Sequence, residues 1–157
     1  MYPPKKEVTE EKALSQLAAL CSRSEHCTSE MLEKMRRWNI PDDAQARIMT
    51  YLTEHQYVDD ERYTRAFIKD KVTYNKWGRR KVEQALWNKR IPESIYQPLL
   101  DEIEENEWQT TLLPLLKNKC RSIKADSDYE RDMKLIRFAL SRGYKMDIIR
   151  KCMEEII

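Results

Sequence analysis

Glycine is nearly absent from this sequence: the 157 residues include two, Gly78 and Gly143. Sheet proteins use glycine in hairpin turns, and dinucleotide-binding or P-loop enzymes need glycine-rich loops around phosphate. Those classes are therefore disfavoured, and a helical protein is favoured. Charged residues make up 36% of the chain, a proportion typical of helices that expose one face to water.

Paired cysteines, secretion signals and long apolar runs are also lacking. The four cysteines form no C-x-x-C pair, so we expect a reduced, cytoplasmic protein without a membrane segment. His26 beside Cys27 has no second close pair of ligands, and the sequence predicts no metal site. It contains no phosphate loop and no nucleophile motif. We therefore predict a protein that is not an enzyme and needs no cofactor.

The sequence repeats itself at a spacing of about fifty residues. A shift of 51 positions superposes Pro41 on Pro92, and the apolar positions on either side coincide. A further shift of 53 positions superposes Ile91 on Tyr144. Three copies of this length indicate tandem helical modules, each with too few apolar residues for a large core of its own.

We predict an all-α fold in which three tandem three-helix repeats stack into an elongated, curved rod. The predicted boundaries are 1–12 for a flexible amino-terminal tail, then 13–59, 60–108 and 109–157 for the repeats. In the second repeat, helices are predicted from about Asp60 to Asn75, from about Arg79 to Lys89, and from Pro92 onward. The starts predicted for the other repeats are Ala13, Thr28 and Pro41, and Gln109, Asp128 and Met146.

Two details of these helices can be tested directly. The apolar face of the helix that begins at Asp60 is predicted to contain Tyr63, Ala66, Phe67 and Tyr74. Pro114 is predicted to lie in the first turn of its helix or to kink it, because proline inside a helix removes a hydrogen bond.

Positive charge is concentrated in the second repeat. The formal net charge is +2, yet residues 60–92 carry 10 basic and 4 acidic side chains. Residues 93–110 carry 6 acidic side chains and no basic one. The acidic run from Asp101 to Glu107 is interpreted as a solvated helix face or as a screen that limits where an anionic partner can lie. An acidic partner would therefore meet one patch of the molecule.

Three cations, Arg79, Arg80 and Lys81, stand where a helix of the second repeat is predicted to begin. The backbone dipole already places partial positive charge at a helix start. The corresponding segments of the other repeats carry favourable caps and acids, such as Glu30 and Asp128. A helix start whose free N–H groups point outward beside guanidinium groups would bind an anion. The alternative is a solvated helix face.

Other basic residues nearby enlarge this cluster. Arg62, Arg65 and Lys69 follow a helical spacing of i, i+3, i+7 along the preceding helix. We name the whole set the predicted basic surface and expect it to contact a partner or phosphates. Its members are Arg62, Arg65, Lys69, Lys71, Lys76, Arg79, Arg80, Lys81, Lys89 and Arg90.

The tryptophans allow two interpretations. Trp77 and Val82 have the spacing of a hydrophobic staple around a cap at Gly78, which is the favoured interpretation. The alternative is that Trp77 is a platform for stacking a nucleobase. Trp38, Trp87 and Trp108 are predicted to be core or module-junction residues.

The segment "YVDDERYTRAFIKDKVTYNKWGRRKVEQALWNKRIP" resembles the RecX family of recombinase regulators. The family pattern has an acidic "DDER(Y/F)-A-R-A-F" helix, a basic stretch that ends in glycine, and "R-x-x-x-x-L-x-x-K-G-I". This sequence departs from it at Thr64, in a usually small position, and at Arg90, which replaces a glycine and puts the local helix end in question. The matching residues are Asp60, Glu61, Arg62, Tyr63, Arg65, Ala66, Phe67, Gly78, Arg79 or Arg80, Leu86, Lys89 and Ile91.

The resemblance covers most of residues 13–157, and its specific motifs lie within residues 57–92. It implies three tandem three-helix repeats and binding to the RecA nucleoprotein filament, with inhibition of recombination, ATP hydrolysis and coprotease activity. It also implies a position in the groove of the filament. On this interpretation the protein is a monomer that binds single- or double-stranded DNA only weakly by itself, through phosphates. The alternative is a direct, sequence-nonspecific DNA-binding helical protein.

Overall fold

The computed structural model describes residues 7–156, and these form nine helices and no strand. Lys5 and Lys6 of the predicted tail lie outside the described residues. The prediction of an all-helical protein is confirmed. The helices are α1 (Glu10–Arg23), α2 (Thr28–Arg37), α3 (Asp42–Glu54), α4 (Asp60–Thr73), α5 (Arg79–Asn88), α6 (Glu93–Asp101), α7 (Glu105–Ser122), α8 (Asp128–Ser141) and α9 (Met146–Ile156).

The threefold repeat is visible in the backbone of the second helix of each module. Asn39, Arg90 and Gly143, which the two sequence shifts superpose, each follow such a helix and each have a positive φ, of 55°, 57° and 94° respectively. This left-handed conformation is a common way to end a helix. Arg90 therefore adopts the conformation that the family pattern assigns to glycine, and the helix ends there without one.

Several predicted helix starts need correction. Helix α1 begins at Glu10 because Thr9 is its cap, with the Thr9 hydroxyl oxygen accepting a hydrogen bond from the Lys12 N–H at 3.1 Å. The last three residues of the predicted tail are therefore helical. Helix α7 begins at Glu105, so Pro114 lies well inside it and not in its first turn. Pro92 caps α6 from outside the helix and does not occupy its first position.

The first compact unit comprises the chain up to Ala66 together with Lys89–Ile91. Its core takes side chains from each of α1, α2 and α3 at helical spacing. The buried core residues are Ala13, Leu17, Met31, Met35, Ile40, Ala44, Ile48, Leu52 and Val58. The start of α2 is held by α4, because the Asp60 carboxylate accepts hydrogen bonds from the Thr28 N–H at 2.8 Å and from its hydroxyl at 3.1 Å.

The second compact unit comprises Phe67–Asn88 and Pro92–Ile157. It contains the last part of α4 and all of α5 to α9. Fully buried side chains come from each helix from α5 to α9, among them Val82, Leu86, Leu100, Leu112, Leu135 and Ile149.

The buried face of α4 differs from the predicted one. Ala66 is exposed, and Tyr74 is 75% exposed because the helix has already ended at Thr73. Thr64 and Ile68 are buried in their place. Thr64 tolerates full burial because its hydroxyl donates a hydrogen bond to the Asp60 carbonyl at 2.6 Å.

Candidate partner-binding surface

The start of α5 is closed by the turn between α8 and α9. The Gly78 N–H donates to the Arg142 carbonyl at 2.7 Å, and the Arg80 N–H donates to the Gly143 carbonyl at 2.9 Å. A carbonyl oxygen thus satisfies one of the amide donors that a helix start normally leaves unpaired. The prediction that the N–H groups of this helix start are free to bind an anion is wrong for Arg80.

The two glycines of the chain make this closure possible. A Cβ on Gly78 would lie 2.4 Å from the Gly143 carbonyl carbon, and a Cβ on Gly143 would lie 2.4 Å from the Cβ of Lys81. Neither approach is compatible with a side chain. Arg90 shows that a positive φ alone does not demand glycine at the end of the second helix. At residue 143 glycine is favoured both by the φ of 94°, which is larger than the 57° of Arg90, and by the close contact with Lys81.

Arg79 is held within the second unit and is only 17% exposed. Its guanidinium donates to Gln97 Oε1 at 2.6 Å, to Asp101 Oδ1 at 2.7 Å and to Glu83 Oε1 at 3.2 Å. The Gln97 amide donates in turn to Glu83 Oε2 at 2.9 Å. Arg79 therefore ties the first turn of α5 to α6. Asp101, predicted to be part of a solvated acidic face, is one of its partners.

The next residue, Arg80, has the opposite environment. Its side chain is exposed, and its guanidinium forms no ion pair or hydrogen bond with the part of the chain that the structure describes. Lys69 and Lys76 are also exposed, and their ammonium groups have no acidic partner between residues 7 and 156. All three lie in the second unit. We call them the unpaired cations.

Trp77 is partly buried and lies between these cations in sequence. Its ring meets Phe67 edge-on, with centroids 6.5 Å apart. The ammonium groups of Lys71 and Lys81 lie over the ring at 5.1 Å and 4.7 Å from its centroid, a favourable cation–π arrangement. A nucleobase that stacked on Trp77 would compete with these two ammonium groups.

The members of the predicted basic surface that belong to the first unit are mostly paired. Arg62 Nε donates to Glu25 Oε1 at 2.6 Å, and one Arg62 terminal nitrogen donates to the Gln56 carbonyl at 3.0 Å. Arg65 meets Glu61 at 3.4 Å. Lys89 Nζ lies 3.3 Å from Glu30 Oε2. Arg90 is exposed and forms no side-chain hydrogen bond or ion pair with any residue in the described range.

Glu30 joins the pairing of Lys89 to the capping of α2. Its carboxylate accepts a hydrogen bond from the Cys27 N–H at 3.1 Å, which closes a capping box. Burial raises the pKa of Glu30, whereas the Cys27 hydrogen bond and the charge of Lys89 lower it. The net shift in the pKa of Glu30 is downward from 4.5. Its charged form is therefore the one that the fold stabilises.

Trp87 does not belong to the core or to a buried junction. Its side chain is 63% exposed, whereas Trp108 is buried and Trp38 is partly buried. Its position in α5 explains this result, because Val82 and Leu86 form the buried stripe and Trp87 is turned away from it. The position of Trp87 relative to Val82 and Leu86 in the sequence already indicates this exposure.

Residues 7–156 contain no group of three or more His, Cys, Asp or Glu side chains placed to hold a metal ion. None of their helices is both long enough and apolar enough to span a membrane.

The helices and their threefold pattern define a protein built from successive three-helix domains. The sequence model described as "RecX, second three-helix domain" matches residues 59–97, and the model described as "RecX, third three-helix domain" matches residues 105–153. The chain belongs to the RecX family of regulatory proteins.

Two curated relatives illustrate the range of lengths in the family. The chain is 30% identical over 130 residues to the regulatory protein RecX of Vibrio parahaemolyticus, with 83% of this chain and 82% of the relative covered. It is 28% identical over 127 residues to the regulatory protein RecX of Clostridium botulinum, with 80% of this chain and 59% of the relative covered. The chain thus spans less than two thirds of the length of the clostridial protein.

A solved structure shows the same fold. The crystal structure of RecX from Lactobacillus salivarius superposes on this chain with a TM-score of 0.85 at 18% identity. The superposition covers 93% of this chain and 95% of the other. At this identity the likeness supports the fold alone.

Proposed function

We propose that this protein is a non-enzymatic regulator that binds the RecA nucleoprotein filament and inhibits its recombinase, ATPase and coprotease activities in DNA repair and the SOS response. Membership of a family of regulatory proteins supports the regulatory role. The protein would act in the cytoplasm as a monomer. It would change the activity of the filament by binding it, without chemistry of its own.

The observation that carries this proposal is the set of unpaired cations. Lys69, Lys76 and Arg80 are exposed in the second unit without an acidic partner among the described residues. Desolvating such a charge is favourable only if the partner supplies an opposite one. A nucleoprotein filament offers both phosphates and carboxylates. The paired cations Arg62, Arg79 and Lys89 would first have to give up an intramolecular partner, so we assign them to the fold.

Direct DNA binding is the second candidate function. The salt dependence of the binding constant measures how much phosphate contacts contribute to the affinity. Each contacted phosphate lowers the logarithm of the binding constant by about 0.7 to 0.9 per logarithmic unit of salt. Lys71 and Lys81 are already engaged over Trp77, and two amide side chains, Gln84 and Asn88, line the groove that contains Lys81. We therefore expect DNA binding alone to be weak and insensitive to sequence.

Co-sedimentation tests the proposal. The purified protein should sediment with RecA on single-stranded DNA to a greater extent than with RecA alone or DNA alone. The variant Lys69→Glu, Lys76→Glu, Arg80→Glu should bind the filament at least about tenfold more weakly and lose inhibition of ATP hydrolysis, because each contact becomes a repulsion.

A matched control carries the same change of net charge in the first unit. It is Lys12→Glu, Arg23→Glu, Arg36→Glu, and all three positions are exposed. This control should bind the filament within about twofold of the wild type, because none of its three residues belongs to the predicted basic surface. Equal losses in both variants would indicate a general charge effect and contradict the assignment. Equal sedimentation of the wild type with DNA alone would favour the second candidate.

A further inference from the structure

The outward face of α5 carries a large exposed aromatic side chain. Arg80, Gln84, Trp87 and Asn88 are exposed at the helical spacing i, i+4, i+7, i+8 and form what we call the α5 outer face. Trp87, at 63% exposed, leaves most of its ring in water. A partner that covered Trp87 would remove apolar surface from water, and tryptophan is among the residues that contribute most to protein–protein binding.

A groove lies on either side of this face, within the second unit. One has a volume of about 440 Å³ and is lined by Arg80, Glu83, Gln84, Trp87 and Tyr96. The other has a volume of about 430 Å³, and its lining includes Trp77, Arg80, Lys81, Gln84, Leu140 and Gly143. Arg80 and Gln84 line both grooves, so the α5 outer face is the ridge between them.

The charges around these grooves select the chemistry of an occupant. The only carboxylate lining the Trp87 groove within residues 7–156, that of Glu83, already accepts hydrogen bonds from Arg79 and Gln97. Arg80 has no such partner, and Lys81 holds its ammonium group over Trp77. The charge available to an occupant is therefore positive, and it lies beside apolar surface from Trp87 and from Leu140, which is 40% exposed.

A protein segment fits these features better than a nucleic acid strand does. A nucleic acid strand carries a phosphate at every nucleotide, whereas the Trp87 groove offers one unpaired cation, Arg80, beside the Glu83 carboxylate. The other groove combines polar side chains, among them Gln84, Asn88 and Ser141, with apolar surface from Leu140 and Ala85 that an apolar side chain of a protein segment can cover. An acidic segment with one apolar side chain could place a carboxylate at Arg80 and its apolar group against Trp87.

We propose that the α5 outer face is the docking surface for an acidic segment of a protein partner, with Trp87 as its apolar contact and Arg80 as its carboxylate contact. This inference rests on the proposed function and extends it. It assigns the α5 outer face to the protein component of the filament, and it leaves Lys69 and Lys76 for the phosphates.

Binding measurements on the two components separately test this assignment. Trp87→Ala should weaken binding to RecA without DNA at least about tenfold, the loss expected for a central tryptophan, and should change binding to single-stranded DNA by less than about twofold. Trp87→Phe should restore most of the affinity for RecA. The matched control is Tyr129→Ala, because Tyr129 is 76% exposed on α8, and it should change neither affinity. Arg80→Glu is a second variant that should also weaken binding to RecA.

The outcomes separate this inference from the proposed function. Wild-type affinity for RecA in Trp87→Ala, with the wild type binding normally, would overturn the inference and leave the proposed function intact. An equal loss of RecA and DNA binding would identify the α5 outer face as a nucleic-acid surface and also overturn it. Failure of the wild-type protein to bind RecA without DNA, with binding to the filament retained, would overturn the inference alone, and failure to bind the filament would overturn both.

Discussion

Basic residues between residues 60 and 92 have different environments, although they are close in sequence. In the first unit, Arg62 and Lys89 are each held by a carboxylate, Glu25 and Glu30 respectively. In the second unit, Lys69, Lys76 and Arg80 are exposed without such a partner in the described chain. A dense run of cations can therefore contain both residues that stabilise the fold and residues available to a partner.

Arg79 and Arg80 show the same contrast between adjacent positions. Arg79 connects α5 to α6 through Gln97 and Asp101. Arg80 contributes its backbone N–H to the closure with Gly143 and leaves its side chain in solvent. Replacing Arg79 together with its neighbours by glutamate therefore cannot be a test of binding alone, because it would place a new carboxylate beside Glu83 and Asp101. Separate variants of Arg79 and Arg80 distinguish the role in the fold from the role in binding.

The largest effect is expected from Gly78→Ala. The added methyl group would meet backbone atoms of Gly143 and Tyr144 at 2.4 Å, and neither can move without opening the closure between α5 and the α8–α9 turn. We expect a loss of about 3 kcal/mol in the free energy of unfolding, the upper part of the range for overpacking. Urea denaturation followed by circular dichroism measures it. A loss below about 0.5 kcal/mol would contradict the tight closure.

An intermediate effect is expected from Arg79→Ala. Its loss leaves Glu83 and Asp101 without their cation, and we expect about 1 to 2 kcal/mol of destabilisation. Arg80→Ala should alter the free energy of unfolding by less than about 0.5 kcal/mol, because its side chain has no partner to lose. For filament binding we expect the reverse: Arg80→Ala should weaken it more than Arg79→Ala does. Equal destabilisation by the two variants would remove the distinction between them.

A smaller effect is expected from Lys89→Ala in the first unit. The ion pair with Glu30 is partly exposed, so its loss should cost about 0.5 kcal/mol. Binding to the filament should stay within about twofold of the wild type. Thermal unfolding and co-sedimentation measure the two quantities. A strong loss of binding with unchanged stability would assign Lys89 to partner binding and not to the fold.

The smallest effect is a change in the acid dependence of stability. The pKa of Glu30 is lowered on folding, so its contribution is present above the unfolded value near 4.5 and is lost as the pH falls through the folded pKa. Glu30→Gln keeps an oxygen for the Cys27 N–H but removes the charge. Its free energy of unfolding should fall less steeply than that of the wild type below pH 4.5. Parallel curves from pH 7 to pH 3 would contradict this role.

Much of the fold could be predicted from the sequence because it depends on local spacing. The starts of α2, α4, α5, α8 and α9 agree with the predicted positions. The starts of α1 and α7 were placed too late, because polar residues such as Glu10 and Glu105 form their first turns and carry no apolar signal. The face of α4 was misjudged because Thr64 is buried through a hydrogen bond to its own helix.

The helical class, the threefold repeat and the concentration of positive charge between residues 60 and 92 can all be read from the amino-acid sequence. Each follows from composition or from a regular spacing along the chain. The pairing of the cations depends on the folded chain, since Arg62, Arg79 and Lys89 meet Glu25, Asp101 and Glu30 at separations of 37, 22 and 59 residues. An ion pair depends on distance in space, and folding alone brings such residues within about 4 Å of each other.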